Sequence, residues 1–222
     1  MTSIDLNTAT EAEQIAIVRR NGNAILNISN PSPAVQMAAV NPHYDYIRNI
    51  RNPVPEVQLY VICRAPYLIS KIANPTVDVQ MIAVTSRGTY IEGVVKTLGG
   101  DPIESVQLTA VKNDGFAIRW IQNPSEAVQL AAVNSSHSAI RHISNPSLAV
   151  QLTAVKADGD MIKYIRNPTK NVAMIALLRL YDQISQNLYY MEILEKHLTK
   201  LYQQHPDWDE LHTIADDMGL KL

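Results

Sequence analysis

"NPSEAVQLAAV" (residues 123–133) is the phrase whose reading decides the fold. Near-copies begin at Asn30 ("NPSPAVQMAAV"), Asn74 ("NPTVDVQMIAV") and Asn145 ("NPSLAVQLTAV"). The asparagine, or its substitute, falls at Thr8, Asn30, Asn52, Asn74, Asp101, Asn123, Asn145 and Asn167. The spacing is 22 residues, except for 27 between Asn74 and Asp101. Proline follows at Pro31, Pro53, Pro75, Pro102, Pro124, Pro146 and Pro168, with Ala9 in the first copy. Eight occurrences in register define a tandem repeat, and a period of this length marks units that stack on one another.

Each unit reads as two short helices. Asn or Asp can accept a hydrogen bond from a free N–H at a helix start. Proline suits the first helical position, where its missing N–H is not needed. Glu126, three residues after Asn123, completes a capping-box pattern. The expectation is a first helix of about ten residues, a loop that often holds glycine (Gly22, Gly88, Gly115, Gly159), and a second, shorter helix. That second helix carries Ala117, Ile118 and Ile121 in one copy and Ala139, Ile140 and Ile143 in another. Neither helix is stable alone at this length. Stacked copies would bury Val35, Ala39, Ile47 and Ile50 in one unit, and Val128, Ala132, Ile140 and Ile143 in another. The fold expected is all-α: a right-handed α-solenoid of about eight helix-turn-helix repeats over 1–170, with a C-terminal helical cap over 171–222.

Gln14, Gln36, Gln58, Gln80, Gln107, Gln129 and Gln151 share one repeat position. At 100° per residue that position faces inward. A buried amide must be hydrogen-bonded or it costs a few kcal/mol. The glutamines therefore read as a ladder that fixes the register between repeats, with partners expected in the loop of the neighbouring unit. The alternative is a row of amides lining a ligand groove.

The pattern breaks twice. Five extra residues fall around "VVKTLGG" (94–100), which predicts a longer second helix ended by Gly99-Gly100 and either a bend or a hinge. From Asn167 onward Ala173 replaces the glutamine, and Leu177, Tyr181, Ile184, Leu188, Met191, Leu194, Leu198 and Leu201 mark a long amphipathic helix. A short helix follows within 205–222. This segment is expected to cap the stack; Tyr181, Ile184, Leu188, Met191, Leu194 and Leu198 alternatively form a dimer seam.

Composition narrows the function classes. With 46% hydrophobic residues the 222-residue chain can bury a core. A net charge of −2 argues against a general polyanion binder. One cysteine, Cys63, excludes an internal disulfide and fits a reducing cytoplasm. Neither a signal peptide nor a membrane-spanning run of 18 apolar residues is read in the sequence.

Charge is segregated along the chain. Residues 1–170 hold 15 Lys and Arg against 13 Asp and Glu, a net +2; residues 171–222 hold 4 against 8, a net −4. On the second helices, Arg48, Arg119, Arg141 and Lys163 occupy one repeat position, and Asn49, Lys71, Trp120, His142 and Tyr164 the next. These nine are the candidate partner-binding residues: a basic stripe interleaved with aromatics, suited to an acidic protein surface or, less well, to nucleic acid. A solvated face explains the same pattern without any partner.

Catalytic signals are weak. The six histidines show no metal-ligand spacing, and neither a glycine-rich phosphate loop nor HExxH is present. His137 stands among Ser135, Ser136 and Ser138, in a turn position. No metal, cofactor or catalytic residue is expected.

The unit "NPSEAVQLAAV…AI..I" resembles short α/α repeats of the HEAT-like and leucine-rich-variant kind, and looks closest to repeat proteins of tailed bacteriophages and some bacteria. The resemblance covers about 8–177 and transfers no catalytic residues. It implies a small accessory protein that binds and inhibits a host or defence protein in the host cytoplasm. HEAT-like DNA-repair proteins suggest nucleic-acid binding as the alternative.

Overall fold

The computed structural model describes residues 5–41, 43–184, 189–204, 208 and 213, side chains at 184 and 189–194 aside. Every regular element among them is a helix. The chain divides into two compact units, Met1–Asn113 with Trp120–Asn123, and Asp114–Arg119 with Pro124–Leu222.

In the first unit α-helices alternate with 3-10 helices, here labelled η. The order is α1 (Glu11–Arg20), η1 (Gly22–Asn27), α2 (Pro33–Val40), η2 (Tyr44–Asn49), α3 (Pro55–Ile62), η3 (Pro66–Lys71), α4 (Val77–Ser86), η4 (Gly88–Tyr90), α5 (Ile91–Leu98) and α6 (Glu104–Asn113). Consecutive α-helices from α1 to α4 pack side by side, as do η1 to η4, and α4 packs on α6. Val35, Val57, Val79 and Val106 from the first layer are fully buried, as are Ile47 and Ile72 from the second. Each such side chain contributes about 1.5–3 kcal/mol on burial.

The second helices are 3-10 helices rather than the α-helices expected. The spacing of their isoleucines fits this. Ile25 and Ile28, Ile47 and Ile50, Ile140 and Ile143, and Ile162 and Ile165 are three apart and all buried. With three residues per turn such side chains lie one above the other. The second member caps each helix, its N–H bonded to the carbonyl of the first at 3.0–3.1 Å.

The helix starts also differ from expectation. The Asn-Pro pair lies outside the helix, and the cap is the residue two places after the asparagine. Ser32, Thr76, Ser125 and Ser147 each accept the N–H of the valine three residues on. Val54 stands at that position in α3 and supplies no side-chain cap. Glu126 is consequently the first helical residue, not the closing member of a capping box, and its carboxylate accepts the Ser147 hydroxyl of the next repeat. Ser32 and Glu11 make the same bond. A capping box does form at Thr10 and Glu13.

Five extra residues extend the fourth repeat. The short η4 runs into α5, which ends at Gly99 in the left-handed conformation (φ 69°). The Gly99 N–H reaches the Val95 carbonyl, and an L side chain there would be strained.

In the second unit the order is α7 (Glu126–Ser135), η6 (His137–His142), α8 (Leu148–Ala157), η7 (Gly159–Tyr164), α9 (Lys170–Ile184) and α10 (Tyr189–Gln204). The remaining helix, η5 (Gly115–Trp120), lies in this unit up to Arg119. Helices α7, α8 and α9 pack in sequence and η6 packs on η7. The long continuous helix expected after Asn167 is two helices. Helix α10 packs on α9 and brings His197 within 4.0 Å of Asp160 on η7, upstream of α9. Leu198 and Leu201 are buried by this return. Of the proposed cap or dimer residues, Leu198 is thus internal and Tyr181 is 45% exposed. Leu188 and the side chains of Ile184, Met191 and Leu194 lie outside the described residues, as does most of the helix expected over 205–222.

Gly159 shows why glycine opens a 3-10 helix here. A Cβ on it would stand 2.4 Å from the Ala176 carbonyl oxygen and 2.9 Å from the Leu180 nitrogen. The backbone of η7 lies directly against α9.

Candidate functional site

The glutamines occupy the seam between consecutive repeats. Gln36, Gln58, Gln80 and Gln107 are buried; Gln14, Gln129 and Gln151 are half-buried. Each of the six from Gln36 to Gln151 donates its Nε2–H to the proline carbonyl five residues earlier in its own repeat, at 2.7–3.1 Å. Gln14, which lacks that proline, donates to Leu6 at 2.8 Å and Ala9 at 3.4 Å. The oxygen reaches forward. Gln36 Oε1 accepts the Val54 N–H and Gln58 Oε1 the Thr76 N–H, both at 3.0 Å. Only this second bond lies in the neighbouring unit; the first ties the amide to its own turn. Oε1 of Gln129 and of Gln151 is buried without a hydrogen-bond partner.

The exposed face of the 3-10 helices carries the charged candidates. Arg48, Lys71, Arg119, Arg141, Lys163 and Tyr164 are exposed, and Asn49, Trp120 and His142 half-exposed. Arg48 folds back on η2, bonding the Asp45 carboxylate and, through Nε, the Asp45 carbonyl at 3.0 Å. Lys163 pairs with Asp160 in the same i,i+3 relation and lies 5.2 Å from the Tyr164 ring. Three residues per turn eclipses i and i+3, so both pairs follow from the helix type. The exposed Arg48–Asp45 pair contributes about 0–1 kcal/mol.

The second unit joins Arg119, Arg141 and His142 to a residue not singled out in the sequence, Phe116. The Arg141 guanidinium carbon sits 4.8 Å from the Phe116 ring centre, a cation–π arrangement. Phe116 and His142 meet edge to face at 5.9 Å. Arg141 Nε donates to His142 Nε2 at 3.1 Å, which requires that nitrogen to be unprotonated. Burial first, then the Arg141 and Arg119 charges, hold the imidazole below its ordinary value. The result is two water-facing arginines, of which Arg141 is backed by the Phe116 ring and both act on His142. The only signal in the sequence was the chain's single Phe, 25 residues upstream of Arg141.

In the first unit, η1, η2 and the turns that follow them border a groove of about 780 Å3. It is lined by corresponding stretches of two successive copies, 25–31 and 48–52, and by Gln36. Arg48 and Asn49 line it, together with Arg51, Asn30 and Asn52, which lie in the turns beyond the second helices and outside the stripe read from the sequence. No acidic side chain lines it.

Among the described residues no cluster of His, Cys, Asp or Glu could hold a metal ion. None of their helices is long and apolar enough to cross a membrane. His137 stands 3.6 Å from Asp158, and Cys63 is exposed at the end of α3. No protein-family model, curated protein or solved structure matches the chain.

Proposed function

We propose that this chain is a non-enzymatic α-solenoid of about eight 22-residue repeats, closed at one end by α9 and α10, and that it binds another protein through the face of its 3-10 helices. The observation that carries the binding reading is the Arg119, Arg141, Phe116 and His142 cluster. Arginine beside aromatic surface is the composition of interface hot spots. Cations that face water beside a neutral imidazole favour a partner with an acidic surface.

The test is capture from cell lysate by the wild-type chain and by an Arg119→Glu/Arg141→Glu double variant. A protein retained by the wild type, released by salt and absent from the variant's eluate supports the proposal. No captured protein, or identical capture by both, overturns it. So does a short oligothymidylate bound more tightly than any protein, with the steep salt dependence of phosphate contacts.

A further inference from the structure

At two of the turns that precede an α-helix, backbone N–H groups are met by a side chain from the turn one repeat earlier. Asn7 Oδ1 accepts the Ser29 N–H at 2.9 Å, while its Nδ2 donates to the Asn27 carbonyl at 3.2 Å. Asp101 goes further: its two carboxylate oxygens accept the N–H groups of Gln122 and Asn123, each at 2.9 Å. By repeat position, Gln122 and Asn123 correspond to Arg51 and Asn52, and Asp101 corresponds to Asn30. At the Arg51–Asn52 turn no such fork forms. Neither N–H is bonded among the described residues, and the Asn30 amide is likewise unbonded. Arg51, Asn52 and Asn30 all line the 780 Å3 groove. Arg51 makes no ion pair among the described residues, and Asp45 on η2 is engaged by Arg48.

We propose that the groove is a carboxylate site, filled by an Asp or Glu side chain of an acidic partner segment that takes the place Asp101 takes at its own turn. The carboxylate accepts the Arg51 and Asn52 N–H groups, Asn30 Nδ2 donates a third bond, and Arg51 supplies the charge. Bonds from N–H to an ionised oxygen are about twice as strong as neutral ones, and the carboxylate matches the paired donors. This inference rests on the protein-binding reading for its biological meaning, but its chemistry is tested without a partner.

The experiment is a titration of the 15N-labelled full chain with N-acetyl-aspartate N′-methylamide, with the asparagine analogue as the neutral control. Expected are saturable downfield shifts of the Arg51 and Asn52 amides with the acid only. Arg51→Ser should weaken binding by about tenfold or more, the scale of one charge-assisted bond. Asn30→Asp should place an internal carboxylate as Asp101 is placed, moving both amides without ligand and abolishing the response. Absent shifts, equal shifts with the control, persistence in Asn30→Asp, or a response to oligothymidylate but not to the acid would each overturn the proposal. Failure to capture a partner from lysate leaves these shifts intact. Absent shifts leave the Arg119/Arg141 test intact, so the two readings fail separately.

Discussion

Replacing Gln58 by Met removes an amide while keeping length and volume. Gln58 is 4% exposed and makes two bonds, to the Pro53 carbonyl at 2.8 Å and from the Thr76 N–H at 3.0 Å. Each partner left unsatisfied in a buried setting costs about 1–3 kcal/mol. Thr76 is only half-buried, so water can recover part of its share, and the thioether gains about 1 kcal/mol over the amide in apolar surroundings. The net loss is about 2 kcal/mol, a fall in Tm of about 4–8 °C for a chain of this size. Gln129→Met is the internal control. It gives up one bond, to Pro124 at 3.1 Å, and eliminates an oxygen already buried without a partner. Its net cost should be about zero. Urea titration followed by circular dichroism measures both, with the midpoint and slope read separately. Equal losses in the two variants, or a neutral Gln58→Met, would refute the reasoning that the forward bond holds successive repeats together.

Three further outcomes follow from single contacts. Gly159→Ala should destabilise by about 1–3 kcal/mol through the clash with the Ala176 carbonyl, whereas Gly100→Ala, with open space around it, should be neutral in the same melts. Thr10→Ala should cost about 1 kcal/mol as a lost cap. It should also raise the Glu13 carboxyl, now held low first by the Thr10 side chain and then by its backbone N–H. That depression means the Glu13 contribution is present above the ordinary carboxylate value and lost as pH falls through the lowered one, and carboxyl NMR titration reads it. Arg119→Gln should let His142 titrate higher, by imidazole NMR. The depressed imidazole contributes stability fully above about pH 6.5 and loses it as pH falls further, because the unfolded chain takes the proton more readily.

Much of the fold was legible because the repeat states it eight times. Val35, Ala39, Ile47 and Ile50, and Val128, Ala132, Ile140 and Ile143, were expected inside and are buried. The helix starts were misread by two residues because Asn, Ser and Thr all cap helices, and "NPS" offers two such residues within three. The 3-10 geometry of the second helices was not legible, because an isoleucine spacing of three suits an α-helix as well as a 3-10 helix. The separation of α9 from α10 was not legible: the shift of the leucine pattern comes after Met191, which already lies in α10 (Tyr189–Gln204). The exposed positions of Arg48, Arg119, Arg141 and Lys163 followed from periodicity. Phe116 under Arg141 did not, since its neighbour stands in the next repeat. The unbonded N–H pair at Arg51 and Asn52 is invisible in a sequence, which records donors but not whether they are engaged.

The forward reach of the Gln36 and Gln58 oxygens gives the stack a direction. A unit finishes its own turn with its nitrogen and completes its successor with its oxygen. At these two junctions an in-frame duplication or deletion of 22 residues rejoins matching donors and acceptors without any new chemistry. Such a chain can grow or shrink in whole units during descent, and its length is heritable in steps.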